Sequence, residues 1–246
     1  MPSSFGTFLH DDDKHRTTAK KNYPNGVAGL DGAQVLILDS FPYALFVKSV
    51  DSYAESDEYQ ELVQAGGSVS YSAGVPKSVT VDAGPILNGY AGFLSTKQVN
   101  RGERMIEYTC KIEDWADAVG GNTHIYVGFT ESNRFDISSQ YAYYTKNGTG
   151  WFMRVKGRDN ETSANVFIET GKTIQVNDCL GVRIVKDPYL NGERIEFTLN
   201  GQRIWETTAG PLTELLYTGI GVRNISEVSN GCTLTAGGES RVSLGC

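Results

Sequence analysis

Short segments in which apolar and polar residues alternate follow one another from Lys77 onward, and this pattern constrains the fold most. Segments such as "RMIEYTCKIE", "HIYVGFTE" and "RIEFTLN" are bounded by Gly, Asn, Asp and Pro. Many short strands at a spacing of roughly 8 to 12 residues are typical of an all-β sandwich or barrel. Because no helical pattern alternates with these segments, the sheets are expected to be antiparallel.

The composition along the chain predicts three parts. Residues 1–32 carry a block of charges with few apolar residues, which predicts an extended N-terminal arm. Residues 33–75 are interpreted as a linker with short strands and one short helix. Residues 76–246 are assigned to the β-sandwich, which is long enough to bury a core of its own.

The helix of the linker is predicted from local signals. Ser52 and Glu55 match a capping-box pattern, and the apolar residues that follow recur at helical spacing. Gly66 and Gly67 then provide a stop signal. We expect the helix over about residues 53–64.

Asn147 and Gly148 predict a tight turn between two strands, with Tyr144 opposite Trp151. Alternation then puts two sets of side chains on opposite faces. The face expected to point into the core carries Ala142, Tyr144, Trp151, Met153 and Val155. The other face carries Tyr141, Tyr143, Phe152, Arg154 and Lys156. Aromatic rings beside long polar side chains suit a surface on which sugars stack, or a flat protein interface.

A second hairpin is predicted at Asn200 and Gly201. A two-residue loop there would pair Phe197 with Ile204 on the core face. Trp205 and Arg203 would then lie on the opposite, outward face.

Charge and hydropathy exclude two classes of partner. The net charge is −7, and a nucleic-acid surface needs clustered Lys and Arg, so no nucleic acid is expected. No apolar segment approaches the roughly 18 residues of a membrane span, so no membrane insertion is expected. The start of the chain lacks the apolar core of a secretory signal.

The four cysteines are far apart in the sequence, which excludes the usual zinc-ligand spacing. Cys110 falls on the apolar side of an alternating segment and is predicted to lie in the core. Cys179, Cys232 and Cys246 are interpreted as free thiols of a protein made in a reducing compartment, with disulfides to Cys246 as the alternative.

No catalytic constellation is recognisable in the sequence. His124 is the one histidine outside the arm, and it is expected at the surface or in a loop. The cluster of Glu113, Asp114 and Asp117 around Trp115 could bind calcium or a sugar, or could be an acidic loop. Glu107 and Glu196 fall on outward faces, but no pattern pairs them as the two acids of a glycosidase.

Three stretches of residues 77–237 resemble the concanavalin A-like lectin/glucanase domains, including the laminin-G-like and SPRY-like sandwiches. They are "GFLSTKQVNRGERMIEYTCKI", "HIYVGFTES" and "LGVRIVKDPYLNGERIEFTLNGQRIWET". The resemblance implies an antiparallel jelly-roll β-sandwich, a fold that hosts lectins, hydrolases and interaction modules. Laminarinase-type members carry a Glu-x-Asp-x-x-Glu strand motif. Glu55 and Asp57 are followed by glutamates at other spacings, so hydrolase activity is not expected.

The stretch "YPNGVAGLDGAQVL" resembles "NGxAxLDxxGxVP" segments of tail-fibre and other virion proteins of tailed phages. The resemblance implies attachment to a virion or to a symmetry axis through the arm. An ordinary turn-rich linker is the alternative.

Together these features predict a virion structural protein that is not an enzyme, either a tail-fibre or receptor-binding protein or a capsid decoration. The sandwich is expected to bind a host-surface glycan or a protein partner. The protein is expected to form a homo-oligomer, most simply a trimer. It is expected in a virion that is assembled in the host cytoplasm. No cofactor is expected, with calcium left open. A glycoside hydrolase or a soluble lectin is the alternative. The predicted ligand-binding residues are Tyr141, Tyr143, Phe152, Arg154, Arg203 and Trp205.

Overall fold

A computed structural model describes the strands of the chain and many of the turns between them. The described residues are 45–48, 59–74, 77–96, 98–100, 105–116, 123–148, 150–157, 161–166, 173–187, 192–208, 215–225, 231–237 and 240–245. The strands are, in chain order, β1 (Leu45–Lys48), β2 (Tyr59–Gln64), β3 (Ser68–Tyr71), β4 (Val79–Asp82), β5 (Tyr90–Ser95), β6 (Val99–Asn100), β7 (Met105–Ala116), β8 (Thr123–Thr130), β9 (Tyr141–Asn147), β10 (Gly150–Lys156), β11 (Glu161–Asn165), β12 (Cys179–Asp187), β13 (Gly192–Leu199), β14 (Gln202–Thr207), β15 (Leu215–Asn224), β16 (Thr233–Ala236) and β17 (Arg241–Gly245).

The strands form two antiparallel sheets, which confirms the predicted all-β sandwich. The first sheet has the order β14-β13-β12-β7-β16-β4-β3. In addition, β17 pairs with another part of β7 on one side and with β1 on the other. The second sheet has the order β11-β10-β9-β8-β15-β5-β2, with β6 beside β15. Consecutive strands such as β8, β9 and β10 are neighbours, whereas β15 and β5 come from distant parts of the chain.

The core lies between the sheets and is built from the alternate residues that the sequence predicted to be apolar. Fully buried side chains of the first sheet, such as Tyr108 and Phe197, meet those of the second sheet, such as Tyr144. The Tyr144 ring packs edge-on to Phe197 at 5.0 Å between ring centroids. Its hydroxyl donates a hydrogen bond of 2.7 Å to the backbone carbonyl of Thr198. This buried bond fixes β9 against β13.

The core contains the cysteine that alternation placed there. Cys110 is fully buried, and none of the three described cysteines, Cys110, Cys179 and Cys232, is in a disulfide. Burial raises the pKa of the Cys110 thiol to about 12, which keeps the group protonated and unreactive. Cys246 lies outside the described residues.

The predicted helix is wrong where the structure describes it. Residues 59–64 form β2, which pairs with β5, and residues 53–58 lie outside the described residues. Every residue of β5 is buried, so its edge needs a partner for its backbone N–H and C=O groups. β2 supplies that partner, and Tyr59 stacks on Phe93 at 5.3 Å. Tertiary pairing therefore overrides the local helical signals.

The sandwich also includes strands from the predicted linker. β1 pairs with β17 near the C-terminus, and β3 pairs with β4. The predicted arm, residues 1–32, lies outside the described residues.

The hairpin of β9 and β10 has a different register from the predicted one. Tyr144 pairs with Met153 rather than Trp151, and Asn147 pairs with Gly150. The shift is two residues in total, and side chains alternate with a period of two, so the two faces are unchanged. All five residues predicted to point into the core are buried there, namely Ala142, Tyr144, Trp151, Met153 and Val155.

The second hairpin confirms its predicted turn, and Ile204 packs against the core as predicted, but Trp205 does not face outward. Asn200 and Gly201 both have positive φ, as a type I′ turn requires, and Leu199 pairs with Gln202. The register then shifts, so that Phe197 pairs with Trp205. This β-bulge turns Trp205 toward the core, contrary to the prediction that it points outward.

Candidate functional site

The outer face of the second sheet carries a cluster of aromatic side chains, which we call the tyrosine face. It consists of Tyr126 of β8, Tyr141 and Tyr143 of β9, and Phe135 from the loop between these strands. The Tyr141 and Tyr143 rings stack at 4.3 Å, and Tyr126 meets Tyr143 edge-on at 5.2 Å. Alternation puts these rings outside because their neighbours along each strand fill the core.

Phe135 reaches the tyrosine face through a short 3₁₀ turn, Phe135–Ile137. Its ring stacks flat on Tyr126 at 5.4 Å. Gly221 of β15 lies beneath, where an added Cβ would be only 3.0 Å from the ring. The turn is held by Arg134, whose Nε and Nη2 donate to the two carboxylate oxygens of Asp136 at 3.0 and 2.6 Å. Because Gly221 has no side chain, the turn that carries Phe135 can lie close to the sheet.

The tyrosines are largely covered by their own neighbours. Tyr141 is 6% exposed and Tyr143 is 4% exposed. On β10, Arg154 lies opposite Tyr143 and Phe152 lies opposite Thr145, and both side chains are half-buried. The surface of this region is thus formed by Phe152 and by polar side chains that pack around the buried rings.

Arg154, Glu161 and Tyr141 form a hydrogen-bonded group at the edge of the tyrosine face. Arg154 Nε donates to Glu161 Oε1 at 3.0 Å, and the Tyr141 hydroxyl donates to Glu161 Oε2 at 2.5 Å. Burial, and then the bond to the carboxylate, raise the pKa of Tyr141 to about 12. Burial alone would raise the pKa of Glu161, but the bonds from Tyr141 and Arg154 lower it. Glu161 is therefore a charged acceptor at neutral pH.

His124 and Arg223 lie at the other side of the face, on neighbouring strands and directly opposite each other. His124 Nδ1 is 3.1 Å from the Tyr126 hydroxyl. Burial, followed by the positive charges of Arg154 and Arg223, lowers the pKa of His124 below its usual 6.5. Burial also raises the pKa of Tyr126. At neutral pH the pair is an uncharged imidazole and an uncharged phenol, which can donate or accept hydrogen bonds.

Arg223 has few partners for a guanidinium. Its Nη2 donates to Asn88 Oδ1 at 2.9 Å. Its Nε is 3.6 Å from Asp136 Oδ2, and within the described structure this buried atom has no hydrogen-bond partner. The Arg223 side chain is 29% exposed. It is therefore a cation that a ligand could still approach.

The outer face of the first sheet is different, and we call it the Arg–Glu face. Its members are Glu107, Arg183, Arg194, Glu196, Arg203 and Glu206. Arg183 bridges Glu107 at 3.1 Å and Glu196 at 3.2 Å, and Arg194 contacts Glu196 at 2.7 Å. Arg203 contacts Glu206 at 2.6 Å. The two glutamates that no sequence pattern paired are thus held by arginines.

The predicted site residues fall on two different sheets. Tyr141, Tyr143, Phe152 and Arg154 lie together on the outer face of the second sheet. Arg203 lies on the Arg–Glu face, and Trp205 packs against Phe197 at 5.3 Å on the core side of the first sheet. One ligand therefore cannot touch all six residues. The ligand-binding role of each remains a prediction.

Sequence reasoning missed several residues of the tyrosine face, among them Tyr126, Phe135, Arg223 and Asp136. Alternation in "THIYVGFT" does separate His124 and Tyr126 from the core positions. However, Gly221 aligns with Tyr126 only because β15 lies beside β8. This pairing joins distant segments, so the site could not be assembled without the strand order.

The acidic cluster around Trp115 has ordinary structural contacts. Glu113 Oε2 accepts a hydrogen bond of 2.5 Å from Ser78 Oγ, and Asp114 Oδ1 accepts one from the Trp115 backbone N–H. Asp117 lies outside the described residues. Among the residues that the structure describes, no three or more His, Cys, Asp or Glu side chains group as metal ligands, and no helix is long and apolar enough to cross a membrane.

No protein-family model matches the sequence, and no curated protein matches it. Solved structures match at low identity. An endo-1,3-β-glucanase from Streptomyces sioyaensis is 11% identical with a TM-score of 0.50, covering 81% of this chain and 95% of that chain. The carbohydrate recognition domain of Emp46p in a potassium-bound form is 11% identical with a TM-score of 0.48, covering 80% and 93%. An endo-β-1,4-glucuronan lyase from the fungus Trichoderma reesei is 12% identical with a TM-score of 0.48, covering 77% and 94%.

The match to the glucanase shows the fold, the concanavalin A-like lectin/glucanase sandwich expected from the resemblance. The Emp46p domain has been solved both without metal and with potassium. The segment that resembles virion proteins lies outside the described residues, and the three structures named above are not virion proteins by their descriptions.

The prediction that the protein is not an enzyme is corrected by the same comparisons. The endo-1,3-β-glucanase, which matches with a TM-score of 0.50, is an enzyme. Assignment as a non-enzyme therefore does not stand. Fold does not specify activity, which depends on the residues of the site.

Proposed function

We propose that the protein binds a carbohydrate on the tyrosine face. The observation that carries this proposal is the combination of a rigid aromatic base with partly exposed polar side chains on one sheet face. Phe152 supplies an apolar ring that a sugar can stack on. Arg154, His124 and Arg223 can donate hydrogen bonds to sugar oxygens, and Glu161 can accept them.

The buried tyrosines act as the support of this site. Tyr143 contacts Tyr126, Phe135 and Tyr141, so the base is packed from three sides. Arg154 lies with its guanidinium carbon 5.9 Å from the centre of the Tyr141 ring. Side chains held in this way lose little conformational entropy when a ligand binds.

A glycan array with the full-length protein tests the proposal. Phe152→Ala and Arg154→Ala should each weaken binding of a hit at least fivefold, since an aromatic or charged contact contributes about 1 kcal/mol or more. Arg194→Ala, on the Arg–Glu face, is the matched control. Loss of binding in Arg203→Ala, with Phe152→Ala unaffected, would place the site on the first sheet and contradict the proposal. Mass spectrometry of the bound glycans would report any cleavage.

We also propose that residues 1–32 attach the protein to a virion and that the protein is a trimer. The charged composition of the arm and the resemblance of the segment at residues 23–36 support this proposal. Light scattering should then give a mass of about three times the 26.8 kDa of one chain. A folded variant without residues 1–32 should be smaller. A full-length monomer at micromolar concentration would contradict the trimer, and failure to co-purify with virions would contradict the attachment.

A further inference from the structure

We propose that the tyrosine face selects acidic saccharides, with a sugar carboxylate bound by Arg223 beside His124 and Tyr126. This inference rests on the proposed carbohydrate binding and names the class of ligand. Arg223 is an incompletely paired cation in a protein whose overall charge is −7.

The positive charge of Arg223 is only partly neutralised by the protein. The carboxylate nearest to it belongs to Asp136, at 3.6 Å. Arg134 already holds both oxygens of that carboxylate, at 3.0 and 2.6 Å. Within the described structure, the one hydrogen bond of the Arg223 side chain goes to the neutral amide of Asn88. An arginine has five N–H donors, so most of the donor capacity of Arg223 is unused.

Two uncharged side chains, His124 and Tyr126, lie beside Arg223. His124 lies opposite it on β8, and its ring nitrogen is 3.1 Å from the Tyr126 hydroxyl. Both groups are uncharged at neutral pH, so neither repels an anion. Arg154 on β10 also acts on both His124 and Tyr126, but its charge is paired with Glu161, so Arg223 is the less neutralised cation here.

Arg183, whose role is structural, differs from Arg223 in its contacts with carboxylates. Arg183 on the Arg–Glu face contacts two carboxylates, Glu107 and Glu196, at 3.1 and 3.2 Å. Its charge is neutralised by the protein itself. The Arg223 guanidinium is partly exposed and shares its one carboxylate, Asp136, with Arg134. It is therefore suited to a carboxylate from outside, because the two groups match as planar, bidentate partners.

The experiment compares an acidic oligosaccharide with a neutral one of the same length, oligogalacturonate and oligogalactose, by calorimetry with the full-length protein. Wild type should bind the acidic probe at least tenfold more tightly, and more weakly as NaCl rises from 50 to 500 mM. Arg223→Gln should weaken acidic binding tenfold or more and leave neutral binding within twofold. Arg194→Ala should change neither.

Two further measurements distinguish recognition of a carboxylate from plain attraction to negative charge. Arg223→Lys keeps the charge but loses the planar fork, so it should still weaken oligogalacturonate binding, and its melting temperature should match wild type. Dextran sulfate tests for plain attraction to polyanions. If it binds as tightly as oligogalacturonate and Arg223→Lys is unaffected, carboxylate recognition is overturned. Equal binding of acidic and neutral probes overturns the selectivity alone, and no binding of any saccharide overturns the proposed function as well.

Discussion

The outer faces of the two sheets both carry arginines and glutamates, but they use them differently. On the Arg–Glu face, Glu196 is contacted by Arg183, Arg194 and Arg203, and its side chain is only 5% exposed. On the tyrosine face, Arg154 and Glu161 form a partly exposed pair. Arg223 shares its one carboxylate, Asp136, with Arg134, which holds it more closely. Arginines that are fully paired with carboxylates stabilise the fold, whereas an incompletely paired arginine is available to a ligand.

The largest expected effect is on the Arg–Glu face. Arg183→Ala removes the arginine that contacts the buried Glu107 and should lower the free energy of unfolding by about 4 kcal/mol. Glu196 keeps Arg194 and Arg203, so it adds little to this loss. Urea denaturation measures this change. Arg154→Ala, whose partner Glu161 is about one-third exposed, is the control and should cost less than about 1 kcal/mol. Equal losses in the two variants would show that the faces do not differ.

The next effect concerns the aromatic packing of the tyrosine face. Phe135 is buried against Tyr126, so Phe135→Ala should cost about 3 kcal/mol of unfolding free energy and weaken sugar binding. Ile137→Ala, in the same turn but 61% exposed, should cost less than about 0.5 kcal/mol. A loss at Ile137 as large as that at Phe135 would mean that the turn, not the ring, is the stabilising feature.

A smaller effect is expected at the glycine beneath that ring. Gly221→Ala brings a Cβ to 3.0 Å from Phe135 and 3.1 Å from the Tyr90 hydroxyl, and should cost about 2 kcal/mol. A double-mutant cycle with Phe135→Ala measures the coupling between the two positions. The cost of Gly221→Ala should fall when Phe135 is absent. An unchanged cost would assign the strain to Tyr90 instead.

The smallest effect is a pH dependence of stability. The folded-state pKa of His124 is below 6.5, so the unfolded chain binds a proton more readily. The stability that His124 contributes is present above pH 6.5 and decreases as the pH falls toward the folded pKa. The groups that face His124 are Tyr126, Arg154 and Arg223. His124→Gln should flatten the dependence of the melting temperature on pH in this range, and an unchanged slope would contradict the assignment.

Alternation along strands was the part of the fold that could be predicted most safely. Tyr144 and Met153 were placed in the core although their pairing was predicted wrongly, because a shift of two residues preserves the face. The β-bulge at Trp205 shows the opposite case. One extra residue, Ile204, exchanges the faces beyond it, and the turn at Asn200 gives no sign of this insertion.

The sequence by itself determined the all-β class, the core positions and the aromatic character of one face, because these follow from local alternation and turn residues. Tertiary structure decided which faces meet. It made residues 59–64 a strand, since buried β5 needed a hydrogen-bonding partner. It also set Arg223 beside His124, and Gly221 beside Tyr126, by pairing β15 with β8. Such pairings depend on contacts between distant segments, and no local pattern in the chain encodes them.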